Sequence, residues 1–207
     1  MEETIYIVDD DLSVRKGLSR LLNTIGFNVQ LFSSAHDFLK HRQKDQNGCI
    51  LLDVRMPGMN GLDMQERLNK SECSLPIIFI TGHGDVPMSV QAMKKGAVNF
   101  LTKPFDEQHL LAAIKEAIEK NRQKRIQYGN VRTIRNRLKI LTSREHEVFL
   151  LVITGMLNKQ IASKLGISEK TVKIHRGRVM KKMQVTSIAN LVHLAQQANV
   201  TIPSASI

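Results

Sequence analysis

The chain has little of several things, and each scarcity excludes something. It has two cysteines, Cys49 and Cys73, in 207 residues. Cys49 falls inside a run that reads as a strand, so neither a disulfide framework nor a cysteine metal site is expected, and both thiols should be reduced. No apolar run approaches the roughly 18 residues that span a bilayer. Met1-Glu2-Glu3 leads into an apolar segment with no basic stretch before it. No signal peptide is therefore expected, and the sequence points to a cytoplasmic protein. Tryptophan is absent, and the C-terminal half has no face studded with Trp and Phe, which argues against a membrane surface as partner. Acidic residues are scarce in one half only. Residues 1–120 hold 14 Lys and Arg against 16 Asp and Glu, whereas residues 121–207 hold 16 against 3. That asymmetry predicts two domains with different partners, the second partner polyanionic, with nucleic acid the leading candidate.

What is present is organised around Leu51-Leu52-Asp53-Val54-Arg55-Met56-Pro57-Gly58. The run Cys49–Leu52 reads as a buried strand that ends in a carboxylate, followed by a turn. Open α/β sheets bind their ligands at the carboxyl ends of strands. Other apolar strands are expected at Thr4–Val8, at Phe27, Val29 and Leu31, at Pro76–Thr81 and at Val98–Leu101. Between them, helical spacing joins Val14, Leu18, Leu21, Leu22 and Ile25, and short helices are expected around Ala35–His41, Gly61–Leu68 and Pro87–Lys95. Asp106 can cap a last helix bearing Leu110, Leu111, Ile114 and Ile118. Five βα units in succession predict a doubly wound parallel sheet of order 2-1-3-4-5.

In that order the strand ends carrying Asp9 and Asp10, Asp53, Thr81 and Lys103 converge on one edge. Clustered carboxylates repel one another, a divalent cation such as Mg²⁺ (or Mn²⁺) relieves the repulsion, and such an ion bridges readily to phosphoryl oxygen. Lys103 offers a point charge to a phosphoryl group and Thr81 a hydroxyl donor. The pattern points to a phosphoryl acceptor at Asp53.

Residues 119–139 are basic and rich in Gln and Asn, with Gly129-Asn130 as a break; a continued helix to about Tyr128 and a flexible tether are both open. Thr142 and Glu145 are spaced as a capping box. Val148, Leu151 and Val152 follow on one face. Asn158 is expected to cap a short helix with Ile161, Ala162 and Leu165 inward. After Gly166-Ile167, Ser168 caps a longer one with Val172, Val179 and Met183 inward. A short helix, a tight turn with Gly and a basic helix form the helix-turn-helix pattern. Opposite its apolar face the longer helix carries Lys170, Lys173, Ile174, Gly177, Arg178 and Lys181, with no acid among them. Ile174 could touch a thymine methyl. Arg176 falls near the core edge, where a phosphate contact or packing suits it. Ile188, Leu191, Val192 and Ala195 define a fourth helix.

On these motifs, residues 4–120 resemble a response-regulator receiver domain: IYIVDDD, LLDVRMPGMNG, FITGHGDVPM and FLTKPF. Residues 141–198 resemble a LuxR-type helix-turn-helix domain, through LTSREHEV, NKQIASKLGIS and TVKIHRGRVMKKM. The combination is similar to the FixJ-like branch. The resemblance implies that Asp10, Asp53 and the backbone carbonyl of Arg55 bind Mg²⁺, with Asp9 helping indirectly. It implies phosphoryl transfer to Asp53 from phosphohistidine of a sensor histidine kinase, with Lys103 on the acyl phosphate. Thr81 would then move toward the phosphoryl group, and Phe100, at a position more often Tyr, would turn inward. Arg55 and His83 would flank the site. Dimerisation is expected through Val90 and Lys94, and through the fourth helix at Leu191. Lys173 and Ile174 would read bases with Lys170 and Arg178 nearby, while Asn158, Lys159, Thr171 and Lys181 hold phosphates. Some relatives carry a base-reading cation where Gly177 stands.

The sequence therefore predicts an α/β doubly wound (βα)5, flavodoxin-like receiver over 1–120, a linker over 121–139, and an all-α four-helix helix-turn-helix domain over 140–200. The expected function is a phosphorylation-activated transcriptional regulator, an activator that dimerises, binds double-stranded promoter DNA and works with RNA polymerase, rather than an enzyme. The alternatives are a constitutive DNA-binding regulator and a Mg²⁺-dependent phosphotransferase or phosphatase.

Overall fold

The computed structural model describes residues 3–42, 46–71, 75–82 and 86–201. The chain divides into two compact units, Met1–Arg125 and Ile126–Ile207.

The first unit alternates strands and helices: β1 (Thr4–Val8), α1 (Leu12–Thr24), β2 (Asn28–Phe32), α2 (Ala35–His41), β3 (Gly48–Asp53), α3 (Gly61–Asn69), β4 (Ile77–Thr81), α4 (Val86–Lys94), β5 (Asn99–Thr102) and the start of α5 (Glu107–Lys139). All strands are parallel, in the order β2-β1-β3-β4-β5, as expected. β1, β3 and β4 are apolar on both sides because both faces are covered. Tyr6, Val8, Ile50, Leu52 and Phe79 pack toward Phe38, Met64 and Leu68. Ile5, Ile7, Leu51, Ile78 and Ile80 pack toward Leu22, Leu110 and Ile114 on the other face.

Local chemistry sets where these helices begin. Asp11 accepts from the backbone N–H of Ser13 and Val14 and caps α1. Ser34 and Asn60 cap α2 and α3 in the same way, through the N–H of Asp37 and Asp63. α3 starts hard against β3. A Cβ on Gly61 would lie 2.4 Å from the Asp53 carbonyl oxygen, so only glycine lets α3 begin directly beneath the acceptor strand.

α5 differs from the expected break at Gly129-Asn130. It is helical through both residues to Lys139. In the first unit, Asn121 is buried, with its Oδ1 accepting from the Gly48 N–H at 3.3 Å, and Arg125 donates to the Gln46 carbonyl at 3.0 Å. In the second unit, Ile134 is buried in the helical core and Arg137 donates to the Met183 carbonyl at 3.0 Å.

The second unit continues with α6 (Ser143–Ile153), α7 (Asn158–Leu165), α8 (Glu169–Met183) and α9 (Ile188–Gln197). The Thr142–Glu145 capping box is formed. Its carboxylate also pairs with Lys182 at 2.6 Å, tying the start of α6 to the end of α8. Gly166 ends α7 at φ +64°, a left-handed conformation that favours glycine, and Ser168 caps α8. Val148, Phe149, Ile161, Val172, Val179, Met183, Leu191 and Ala195 form the core.

Candidate functional site

The strand register builds the first site. Val8 pairs with Leu52 and Thr81 with Thr102, so Asp9, Asp53, Thr81 and Lys103 end adjacent strands at one edge. The backbone N–H of Lys103 donates to the Thr81 carbonyl at 2.7 Å, and the Lys103–Pro104 peptide is cis. The Lys103 ammonium donates to Asp9 Oδ2 at 2.7 Å and to Asp53 Oδ1 at 3.2 Å. The other Asp53 oxygen accepts from the backbone N–H of Arg55 at 2.7 Å, and Asp9 Oδ1 accepts from that of Asp11 at 2.8 Å. The Arg15 guanidinium donates to the Asp9 carbonyl, a support that no local pattern in the sequence announces.

The electrostatics follow from burial. Asp9, Asp53 and Thr81 are buried. Burial pushes the Asp53 carboxyl above its ordinary value; Lys103 pulls it back, and Asp9 pushes it up again. Burial disfavours the Lys103 ammonium, but its hydrogen bonds and attraction to Asp9 and Asp53 hold it above the usual lysine value. The site thus has two desolvated carboxylates around one cation, an arrangement with room for more positive charge.

Asp10 and Arg55 are exposed beside this group, and Gly82 is open, with nothing within 4 Å of where a Cβ would stand. Phe100 is half-buried against Phe79, with ring centroids 6.0 Å apart. His83 and Cys73 lie outside the described residues. The buried Cys49 thiol is pushed up by burial and is chemically quiet. Val90 and Lys94 are both exposed on α4.

The second site is a face of α8. Lys170, Lys173, Ile174, Gly177, Arg178 and Lys181 are all exposed, opposite the buried Val172, Val179 and Met183. Lys159 is exposed at the start of α7, and Thr171 is half-buried at the start of α8. Two expectations change here. Asn158 does not cap α7; Leu157 holds that position without a side-chain cap, and its N–H is taken by Gln160 Oε1 at 2.8 Å. Asn158 Oδ1 accepts instead from Arg176 Nη1, so Arg176 joins the two helices of the motif and leaves the Asn158 amide N–H groups to donate elsewhere. Leu191 is fully buried in the core. It is not a dimer contact in this fold, because its side chain is already spent on holding α9 in place; the exposed large hydrophobic of α9 among the described residues is Ile188.

Among the described residues no helix is long and apolar enough to cross a membrane. The response regulator receiver domain family matches residues 5–115. The family of bacterial regulatory proteins, luxR family, matches residues 139–195. The chain is 48% identical over 193 residues to response regulator protein TodT of Pseudomonas putida, covering 93% of this chain and 85% of that one. It is 41% identical over 194 residues to transcriptional regulatory protein FixJ of Bradyrhizobium diazoefficiens, covering 94% and 95%. The solved structure of response regulator StyR matches with a TM-score of 0.83 at 49% identity, covering 95% of this chain and all of that one. A five-stranded parallel sheet with an acid–lysine edge, followed by a helix-turn-helix, thus coincides with two family matches and full-length relatives: the chain belongs to the FixJ-like response regulators, transcription regulators that join a receiver domain to a LuxR-family DNA-binding domain.

Proposed function

We propose that Asp53 is the phosphoacceptor of this regulator and that its phosphorylation raises affinity for promoter DNA. The observation that carries the reading is Lys103, whose ammonium bridges Asp9 and Asp53 at 2.7 and 3.2 Å. A carboxylate oxygen of Asp53 attacks the phosphorus of a phosphohistidine on a sensor histidine kinase. The P–N bond breaks, its electron pair returns to the imidazole, and an acyl phosphate remains on Asp53. Lys103 then exchanges a carboxylate partner for a phosphoryl oxygen, and the Thr81 hydroxyl supplies a further donor. Such chemistry asks the protein for positioning and charge neutralisation.

The donor set fits a hard divalent cation, since it offers only oxygens around an acceptor disfavoured by burial and by Asp9. Asp10, Asp53 and the Arg55 carbonyl would hold Mg²⁺ or Mn²⁺, with Asp9 acting indirectly. The ion would neutralise charge on the transferring group. Slow loss of the phosphoryl group is the only turnover this reading includes.

Downstream, the reading has Thr81 and Phe100 as the switch, α4 at Val90 and Lys94 as the dimer face, and α8 as the DNA reader. Lys173 and Ile174 contact bases, with Lys170 and Arg178 beside them, while Asn158, Lys159, Thr171 and Lys181 hold phosphates. Dimerisation adds avidity for paired half-sites, and promoter-bound dimers act on RNA polymerase in the cytoplasm as activators. The receiver is taken as residues 1–120, the linker as 121–139 and the output domain as 140–200.

The test is footprinting with and without acetyl phosphate. Wild type should take up phosphate and protect promoter DNA at lower protein concentration. Asp53→Asn should do neither. A variant that still gains affinity on treatment would refute the mechanism, and equal footprints from untreated wild type would favour the constitutive alternative.

A further inference from the structure

α8 carries a residue that its own helix disfavours. Gly177 lies in the interior of a fifteen-residue helix, exposed, in ordinary right-handed geometry. A Cβ added there meets nothing within 4 Å. Glycine in a helix interior is less stable than alanine or leucine, and no neighbouring atom in the fold demands its small size. The demand therefore comes from something that approaches this face.

The surroundings indicate what approaches. Gly177 is flanked at i−4, i−3, i+3 and i+4 by Lys173, Ile174, Met180 and Lys181. Ile174 is 49% exposed and is the one large hydrophobic exposed on α8 among the described residues. Met180 is half-buried. The helix backbone at Gly177 is thus the floor of an apolar notch. Ile174 and Met180 form two walls, and the two lysines stand at its corners.

We infer that Gly177 is a specificity-determining residue whose notch receives the C5-methyl of one thymine in each DNA half-site. Of the four bases only thymine presents a methyl in the major groove. Of the lysines at the corners, Lys181 suits the phosphates that border the groove, while Lys173 keeps its contact with a neighbouring base. The inference rests on α8 being the DNA-reading helix. It adds that a missing side chain, rather than a charged one, makes the discrimination at this position.

The experiment uses the full-length chain, treated with acetyl phosphate and Mg²⁺, to enrich duplexes from a random pool. Each thymine of the enriched duplex is then replaced singly by deoxyuridine, which removes only the methyl. One thymine per half-site should lose affinity about fourfold, the transfer of one methyl from water. Gly177→Leu should keep or raise the thermal midpoint, because leucine is the better helix former and the position is open. The same variant should bind the enriched duplex at least about tenfold more weakly and be indifferent to deoxyuridine at that thymine. The inference is overturned if every thymine tolerates the replacement, if Gly177→Leu binds like wild type, if it retains the deoxyuridine effect, or if its thermal midpoint falls. Failure to enrich any sequence would instead overturn the assignment of α8 as a reader.

Discussion

Replacing Lys103 with methionine would remove the ammonium that bridges Asp9 and Asp53. The gross attractions across 2.7 and 3.2 Å come to about 6 and about 5 kcal/mol at an effective dielectric of 20. Most of that repays desolvation, since the two carboxylates are 4% and 9% exposed. Removing one member of a buried pair costs about 3–5 kcal/mol. Lys103 keeps 23% of its side chain exposed, and an unpaired carboxylate can bind a proton, so about 2–3 kcal/mol is the expected loss at pH 8. For a unit of this size that is a drop of about 10 °C in its melting transition. The sign with pH is fixed by linkage. Burial and Asp9 already hold the Asp53 carboxyl above its ordinary 3.8; without Lys103 it rises further. A raised folded value makes the variant comparatively stable in acid and progressively less so as pH rises through that value. Calorimetry at pH 5 and pH 8 should therefore show a larger deficit at pH 8, and added Mg²⁺ should restore part of it. A variant as stable as wild type at pH 8, or a deficit that grows toward pH 5, would refute the reasoning.

Three other perturbations test different parts. Asp53→Asn should melt at or above wild type at pH 7, because the raised value of Asp53 means its charge is disfavoured in the fold; the advantage should fade as pH falls toward the ordinary carboxylate range. In the helix-turn-helix, Arg176→Gln should reduce the slope of log affinity against log salt by about 0.9, one phosphate contact, and Asn158→Ala, which removes an uncharged donor and the acceptor that holds Arg176, should weaken binding. The double variant should lose little more than either single one, a coupling of about 1 kcal/mol in DNA affinity; fully additive losses would separate the two residues. Glu145→Gln should destabilise the second unit by about 1–2 kcal/mol at pH 7 through the lost cap and ion pair. Lys182 first, and then the Thr142 N–H, hold the Glu145 carboxyl below its ordinary 4.5. The gap between variant and wild type should therefore persist above pH 4.5 and close as pH falls through the lowered value, as thermal melts across pH would show.

The parallel sheet and its order were legible because buried strands write themselves as unbroken apolar runs, and because four of them end in chemistry-bearing residues. The weakest strand was read in part. Phe27, Val29 and Leu31 alternate as expected, but Leu31 is 42% exposed and Phe32 is buried. β2 lies at the sheet edge, so a period of two marks a side without marking burial there. Ile25 misled for a related reason: it continues the helical spacing of α1 but follows the helix end, and it is 45% exposed.

In the second unit the helices and their inward residues were legible from spacing, whereas the partners of polar residues were not. Asn158 has the composition of a cap, yet Leu157 occupies the cap position and Arg176, eighteen residues on, takes the Asn158 oxygen. Leu191 shows the opposite failure: an apolar residue on a terminal helix suits a subunit interface or a core equally well by pattern. Only the packing of α9 against α6 decides that it is core. A stripe of like residues specifies a face; what that face meets depends on elements far away in the chain. For that reason the α8 face is best tested at Gly177, where the helix gives up stability that no residue of its own fold repays, and where a change in DNA preference without a loss of folding separates contact from packing.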